Sequence, residues 1–261
     1  MFSIERTIRD DDQTAAVLPV SYPSLAAKQI NIRAGELSMI AGPPGAGKST
    51  LALALALRAK VPTLYFSADT TKHTMRLRLL MMLTGLTLEA AELMMHDDRE
   101  WAKQVLQESR HIGWCWDSAP SLRDVEHQIA AFNEYWGTDP QLIVFDNLID
   151  ATFESGDEYS SMRALMREFK WFARDTNAVF LVLHHTSESV PGNPCPPRHA
   201  LHGKVAQTPA MILTVTGDTA GFMGVAAVKN RYGPARSDGS DPVWLQYDPA
   251  TMQITDLVSD K

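Results

Sequence analysis

A glycine-rich octapeptide near the amino terminus constrains the fold more than any other feature of the sequence. It covers residues 42–49 and reads Gly-Pro-Pro-Gly-Ala-Gly-Lys-Ser. An apolar strand-like segment, Leu37–Ala41, precedes it, and a segment with helical periodicity, Lys48–Ala59, follows it. A glycine-rich turn between a strand and a helix, ending in Lys and Ser, is the pattern of a phosphate-binding P-loop. The sequence therefore predicts a P-loop within an α/β fold.

The residue types of this loop suit a nucleoside triphosphate. Glycines let backbone N–H groups surround the β-phosphate, and the amino end of the following helix adds positive potential. We expect Lys48 to reach the β- and γ-phosphates and the Ser49 hydroxyl to bind Mg²⁺. The predicted ligands are thus ATP and Mg²⁺. The predicted nucleotide-binding residues are Gly42, Pro43, Pro44, Gly45, Ala46, Gly47, Lys48, Ser49 and Thr50.

Alternating apolar and amphipathic segments predict the rest of the fold. The predicted strands are Leu37–Ala41, Thr63–Ser67, Ile112–Trp116, Leu142–Phe145, Ala178–Leu183, Met211–Thr216 and Gly224–Lys229. The predicted helices are Lys48–Ala59, Lys72–Leu83, Leu122–Glu134 and Tyr159–Thr176. Strands separated by helices of this length form crossover connections, which place the strands parallel. We therefore expect a largely parallel central sheet with helices on both faces.

The two ends of the chain depart from this alternation. Residues 1–20 are polar and charged and contain Pro19, which predicts an N-terminal arm or linker before a single ATPase domain at 21–261. Near the other end, Val243–Gln246 and Met252–Thr255 flank an Asp-Pro turn. This pair predicts an antiparallel hairpin at the edge of the sheet.

Charge and composition narrow the possible partners. The net charge is −7, with 31 acidic against 24 basic residues, which argues against a broad basic surface that coats DNA. A ring can still gather a few basic loops from several subunits into one channel. The apolar stretch Leu51–Leu57 is too short to cross a bilayer, so no membrane partner is expected. Only two cysteines, Cys115 and Cys195, favour a reducing cytoplasmic location.

An acidic residue at the end of a second apolar strand complements the P-loop. Leu142–Phe145 is followed directly by Asp146. Such a buried strand delivers a carboxylate beside the P-loop, where it would accept a hydrogen bond from a Mg²⁺-bound water, as a Walker-B aspartate does. We therefore predict Asp146 as a magnesium-site residue together with Ser49. The alternative is that Asp146 caps a turn with Asn147.

The segment after the P-loop helix resembles a known family. Phe66-Ser67-Ala68-Asp69 is similar to the Phe-Ser-Leu-Glu phrase of RecA-superfamily ATPases, especially the motor domain of DnaB-type replicative helicases. The resemblance implies a RecA-like P-loop core in which Asp69 orients the attacking water. Asp69 is one methylene shorter than the family's glutamate, so its reach is reduced. The alternative is that Asp69 caps the helix Lys72–Leu83.

Two later segments extend this resemblance. Residues 178–186 resemble the strand that ends in the family's γ-phosphate sensor, and His185 falls on the sensor position. Residues 229–234 resemble the family's Lys-x-Arg-x-Gly-Pro phrase, whose two cations act on the nucleotide of a neighbouring subunit. The resemblance thus implies that Lys229 and Arg231 act in trans and that the chain forms a homo-oligomer, a hexameric ring. The alternatives are a structural histidine and a solvated basic turn.

The family also suggests where DNA would bind. It implies contact through loops 150–161 and 186–207; the first carries acids such as Glu154 and Asp157, whereas the second carries cations. Those cationic candidates are Arg198, His199, His202 and Lys204. A metal site is a competing interpretation of the second loop, although no zinc spacing is matched. Its candidate ligands are His184, His185, Cys195, His199 and His202.

Several functions are compatible with these residues. The leading hypothesis is an ATP-hydrolysing motor on DNA, a DnaB-like helicase core expected to stand alone, because no segment matches the family's separate N-terminal domain. A recombination or branch-processing ATPase is a second hypothesis. A P-loop small-molecule kinase is a third, since such kinases also place an acid near Asp69. A nucleotide-gated binding module that hydrolyses poorly is a fourth.

Overall fold

A computed structural model of the chain describes residues 16–19, 22–148, 158–187, 193–217 and 220–257. Within these residues the strands are β1 (Leu37–Gly42), β2 (Thr63–Ser67), β3 (Ile112–Cys115), β4 (Leu142–Asp146), β5 (Val179–His185), β6 (Met211–Gly217), β7 (Phe222–Asn230), β8 (Val243–Asp248) and β9 (Gln253–Asp256). The α-helices are α1 (Pro23–Ala27), α2 (Lys48–Ala59), α3 (Lys72–Thr84), α4 (Leu88–Asp97), α5 (Arg99–Leu106), α6 (Leu122–Trp136) and α7 (Glu158–Asp175). Short 3₁₀ helices lie at Gln107–Ser109, Arg198–Ala200 and His202–Gln207.

The described strands form one nine-stranded sheet in the order β3-β2-β4-β5-β1-β6-β7-β8-β9. The pairs from β3 through β6 are parallel, and β7, β8 and β9 continue the sheet antiparallel. Every residue of β1, β2 and β4 is buried, as expected for central strands covered on both faces. This architecture confirms the predicted fold class.

The helices cover the sheet in two layers. The helices α2 and α3 pack on one face, and α6 and α7 pack on the other. A small third core joins α3 to α4 and α5 through residues such as Leu80, Ala91 and Ala102. The sequence reasoning did not predict α4 and α5. Each has one buried residue, an alanine, but α5 also packs larger apolar side chains such as Trp101 and Val105 against this core at helical spacing, a periodic signal that was overlooked.

Strand direction decides which residues meet. Parallel strands bring their carboxyl ends to the same edge of the sheet, so the residues that follow β1, β2, β4 and β5 converge there. The register pairs Gly42 with His185 and Ser67 with Asp146. Because β7 runs in the opposite direction, its last residue, Asn230, lies opposite Met211 at the other edge.

The structure revises several predicted boundaries. In the predicted arm, Val17 forms a bridge with Arg33, and Leu18 is 7% exposed in the core. The packed domain therefore includes residues before 20, while residues 1–15, 20 and 21 lie outside the described residues. Of the predicted loop 150–161, residues 149–157 are also outside them, and residues 158–161 begin α7 instead of forming a loop. None of the helices that the structure describes is long and apolar enough to cross a membrane.

Candidate active site

The P-loop connects β1 to α2 through a turn that requires glycine. A Cβ at position 42 would stand 2.9 Å from the Val215 carbonyl oxygen, so the strand end approaches β6 too closely for a side chain. Gly47 precedes α2 with a φ of 86°, in the left-handed region. This turn exposes the first backbone N–H groups of α2, which is the arrangement that binds phosphate.

Lys48 lies inside the loop and not in solvent. Its side chain is 7% exposed, and Nζ donates to the Gly42 carbonyl at 3.0 Å and to the Pro43 carbonyl at 2.9 Å. Burial lowers the pKa of this lysine, and the carboxylates of Asp146 and Asp69 oppose that shift. The ammonium is therefore held at the mouth of the loop, between its main-chain carbonyls and two acids.

Asp146 ends β4 as a buried carboxylate that is 2% exposed. The Tyr65 hydroxyl donates to its Oδ2 at 3.1 Å, and the Ser49 hydroxyl also hydrogen-bonds to it. Burial raises the pKa of Asp146 to about 6; the Ser49 hydrogen bond lowers it, and the charge of Asp69 raises it. The Ser49 hydroxyl and the buried Asp146 carboxylate are in contact, and oxygen donors of this kind suit a hard cation such as Mg²⁺. These residues therefore fit the magnesium ion that the P-loop implies.

Asp69 follows β2 and is exposed at the mouth of the same site. The Thr70 hydroxyl donates to Asp69 Oδ1 at 3.0 Å, and Arg78 on α3 donates to the Thr70 hydroxyl oxygen at 3.3 Å. The helix cap belongs to Thr71, whose side chain accepts the N–H of Thr74. The alternative assignment of Asp69 as the cap of α3 is therefore wrong, and its carboxylate remains directed to the cavity.

The two histidines at the end of β5 have different environments. His185 reaches the cavity, and burial together with the charge of Lys48 lowers its pKa. His184 is fully buried and donates Nε2–H to the His202 carbonyl at 2.9 Å. Burial lowers the pKa of His184 to about 4, so this ring is neutral at physiological pH. In the described part of the chain, no three His, Cys, Asp or Glu side chains gather to hold a metal ion.

These groups surround one cavity of about 290 Å³. Its lining residues are Pro44, Gly45, Gly47, Lys48, Ser49, Thr50, Asp69, Arg78, Asp146, Asn147, His185 and Tyr247. Gly42, Pro43 and Ala46 were predicted to bind nucleotide but do not line it. The sequence reasoning missed Arg78, whose signal was a cation two turns into the helix after Asp69, and Tyr247, which carried no local signal because β8 brings it in from far along the chain.

Lys229 and Arg231 do not enter this cavity. The register places Lys229 at the level of Met39 on β1, about 10 Å along the strand from Gly42 at about 3.3 Å per residue, and Arg231 lies two residues further away. Lys229 Nζ donates to the Ala206 and Gln207 carbonyls, each at 2.8 Å. The Arg231 guanidinium, 41% exposed, pairs with Glu36 at 3.3 Å.

Comparison with known proteins agrees with this geometry. A family model described as AAA domain matches residues 28–189. The Gene 65 protein of Mycobacterium phage L5 is 34% identical over 249 residues, covering 92% of this chain and 93% of that protein. The Gene 65 protein of Mycobacterium phage D29 is 34% identical over 234 residues, covering 84% and 98%.

Two solved structures share the fold at low sequence identity. A DnaB-like replicative helicase, described with its interactions with primase, has a TM-score of 0.79 at 16% identity. The match covers 97% of this chain but 65% of that one, so this chain spans about two thirds of its length. A second solved ATPase domain has a TM-score of 0.80 at 16% identity, covering 97% of this chain and 96% of that one. The architecture is thus the RecA-like fold of helicase motor domains.

Proposed function

Because this chain belongs to the AAA domain family and has a RecA-like P-loop fold, we propose that it is an ATP-hydrolysing motor on DNA, a helicase core that works as a ring. The proposal rests on one observation, which is that the charged groups lie at two opposite edges of the sheet. The P-loop, Asp69, Asp146 and His185 converge in one cavity, whereas Arg231 lies at the opposite edge of the sheet, away from the cavity of its own chain.

In this proposal residues 42–50 hold the triphosphate. The N–H groups at the start of α2 and the Lys48 ammonium bind the phosphate oxygens, and Tyr247 packs beside the nucleoside. Ser49 and Asp146 hold Mg²⁺, which when bound supplies positive charge against the phosphates. Burial destabilises the ionised Asp146 carboxylate, and the positive charge of the bound cation would offset this effect.

The hydrolytic step is assigned to the exposed acid at the mouth of the cavity. Asp69 accepts the proton of the attacking water, and Thr70 with Arg78 holds its carboxylate in place. His185, kept neutral by its lowered pKa, lies where it can donate a hydrogen bond to the γ-phosphate. Arg231 of an adjacent copy adds the positive charge that the developing transition state needs.

The assembly is proposed as a homo-oligomeric, hexameric ring with DNA in contact with the cationic segment near Arg198 and His199. A small-molecule kinase is the second candidate, since Arg78 supplies a cation within the chain's own cavity, as a kinase requires. The two differ in whether the site is complete in a single chain. They also differ in whether DNA changes the rate of hydrolysis.

Subunit mixing tests this difference directly. Arg231→Ala should bind nucleotide but hydrolyse it about a thousandfold more slowly, the loss found on removing an arginine finger. Lys48→Ala should also be inactive, because its own phosphate site is lost. A mixture of the two variants should recover activity, since one subunit offers an intact P-loop and the other an intact Arg231.

Lys48→Ala mixed with Asp146→Ala is the matched control, because both changes damage the same cavity and cannot complement. Co-purification of differently tagged chains verifies that subunits have mixed. Wild-type hydrolysis should rise with single-stranded DNA, and the mass in solution should be that of a large oligomer. A monomer whose hydrolysis is indifferent to DNA would instead support the kinase, and mixed oligomers as inactive as their parents would exclude the trans role.

A further inference from the structure

The Lys229 ammonium is committed to main-chain partners within its own chain. It donates to the carbonyls of Ala206 and Gln207, each at 2.8 Å. These are the last two residues of the 3₁₀ helix His202–Gln207, whose terminal carbonyls have no partner within the helix. A lysine that caps such carbonyls forms charge-assisted hydrogen bonds and also matches the negative end of the helix dipole. Lys229 therefore fixes the end of this helix to the end of β7.

Residues 198–207, here called the anchored segment, are also fixed to β5. His184 on β5 donates a hydrogen bond to the His202 carbonyl of this segment at 2.9 Å. A bridge between Thr186 and Leu201 adds main-chain pairing. Through these contacts the anchored segment joins β5, which carries His185, to β7, which leads into Arg231. It also carries the cations Arg198 and His199, which are exposed.

Arg231 is placed differently from Lys229. Its guanidinium is 41% exposed and has a single described acidic partner, Glu36, so a neighbouring copy can reach it. Lys229 is half-buried, and to reach a neighbour's phosphate it would have to leave both carbonyls without their donor. The two cations of the Lys-x-Arg phrase therefore lie in different environments: Lys229 is bound to its own chain, and Arg231 is accessible to a neighbour.

We propose that Lys229 is a positioning residue. Its ammonium holds the anchored segment at the end of β7, next to Arg231. Contacts between this segment and the phosphates of DNA are thereby coupled to the position of the Arg231 side chain. The DNA contact and the trans action of Arg231 rest on the proposed function. The anchor itself rests only on the geometry within one chain.

The test compares Lys229→Met, which keeps the length of the side chain without its charge, with Lys229→Arg, which can still donate to both carbonyls. Hydrogen exchange of backbone amides in residues 198–208 measures the anchor. Lys229→Met should raise exchange there by about tenfold or more, as expected when charged hydrogen bonds that close a local opening are lost. Lys229→Arg should leave exchange near the wild-type rate, and Arg231→Ala should do the same.

Affinity for a single-stranded oligonucleotide, measured with a non-hydrolysable ATP analogue, tests the coupling. Lys229→Met should weaken it by about tenfold, comparable to the loss of one charged contact, whereas Lys229→Arg and Arg231→Ala should retain it. Wild-type exchange in Lys229→Met would overturn the anchor, and normal DNA affinity in a Lys229→Met protein with raised exchange would overturn the coupling. If the wild type itself fails to bind the oligonucleotide, the proposed function fails, and the exchange experiment still decides the anchor.

Discussion

Ionisation of the Asp146 side chain should destabilise the nucleotide-free protein at neutral pH. Its pKa rises from 3.8 to about 6, chiefly because burial removes water from the carboxylate. That shift corresponds to about 3 kcal/mol, at about 1.36 kcal/mol per unit of pKa. Asp146→Asn removes the charge, keeps the shape and retains an oxygen for Tyr65. We therefore expect this variant to be more stable than the wild type by about 3 kcal/mol at pH 7.5.

The pH dependence has a definite sign. Since the folded-state pKa lies above the unfolded value, the folded protein binds more protons between about pH 4 and pH 6. The contribution of Asp146 to wild-type stability therefore falls as the pH rises through this window, while Asp146→Asn has no such loss. The opposite contribution of His184, whose pKa is lowered in the folded state, is the same in both proteins. The stability difference between the two proteins should be absent near pH 4 and complete above about pH 6.5.

Thermal and urea unfolding without nucleotide provide the assay. A gain of about 3 kcal/mol should raise the melting temperature by about 6–12 °C, at about 2–4 °C per kcal/mol for a domain of comparable size. Asp69→Asn is the control, because that carboxylate is exposed and its neutralisation should bring no comparable gain. With Mg²⁺ and an ATP analogue the order should reverse, since only the wild type gains stability from the bound ligand. Equal stability of the two proteins at pH 7.5, or an equal advantage at pH 4, would refute the reasoning.

Other substitutions separate the roles of the cavity residues. Asp69→Asn should keep nucleotide affinity but lower turnover by about a hundredfold, as expected for a residue that accepts a proton, and equal loss of affinity would contradict that role. Asp69→Glu should raise turnover if reach limits the base; an unchanged rate in single-turnover assays would count against this. Tyr247→Ala should weaken binding of a fluorescent ATP analogue by about tenfold through lost aromatic contact, with tripolyphosphate affinity unchanged as the control.

Local sequence predicted most of the sheet and nine of the twelve residues that line the cavity. The P-loop was predicted in full because its glycines, lysine and serine are contiguous, so their chemistry and their geometry are read from the same eight residues. Asp146 was found because it directly follows an apolar strand, and Asp69 because residues 66–69 resemble the family's Phe-Ser-Leu-Glu phrase. Both then lie at the edge of the sheet that the carboxyl ends of parallel strands share. Their functional roles remain predictions that the proposed variants test.

The residues that were missed are brought in by packing over long separations. Arg78 reaches the cavity from α3, where its guanidinium donates to Thr70 beside Asp69, and the apolar pattern does not reveal which cation faces inward. Tyr247 reaches it because β8 is added to the far side of β7, after two changes of strand direction. The helices α4 and α5 were missed for a different reason: α5 places Trp101 and Val105 on the third core at helical spacing, and this periodic signal was overlooked.

The direction of β7 explains why Arg231 lies far from the P-loop of its own chain. Only four residues, 218–221, separate β6 from β7, which is too short for a crossover and long enough for a hairpin. The strand must therefore return antiparallel and carry Arg231 to the edge opposite the P-loop. At that edge Glu36 pairs with the arginine and orients its guanidinium. Under the proposed function, hydrolysis depends on contact between copies, as a motor that acts in sequence around a ring requires.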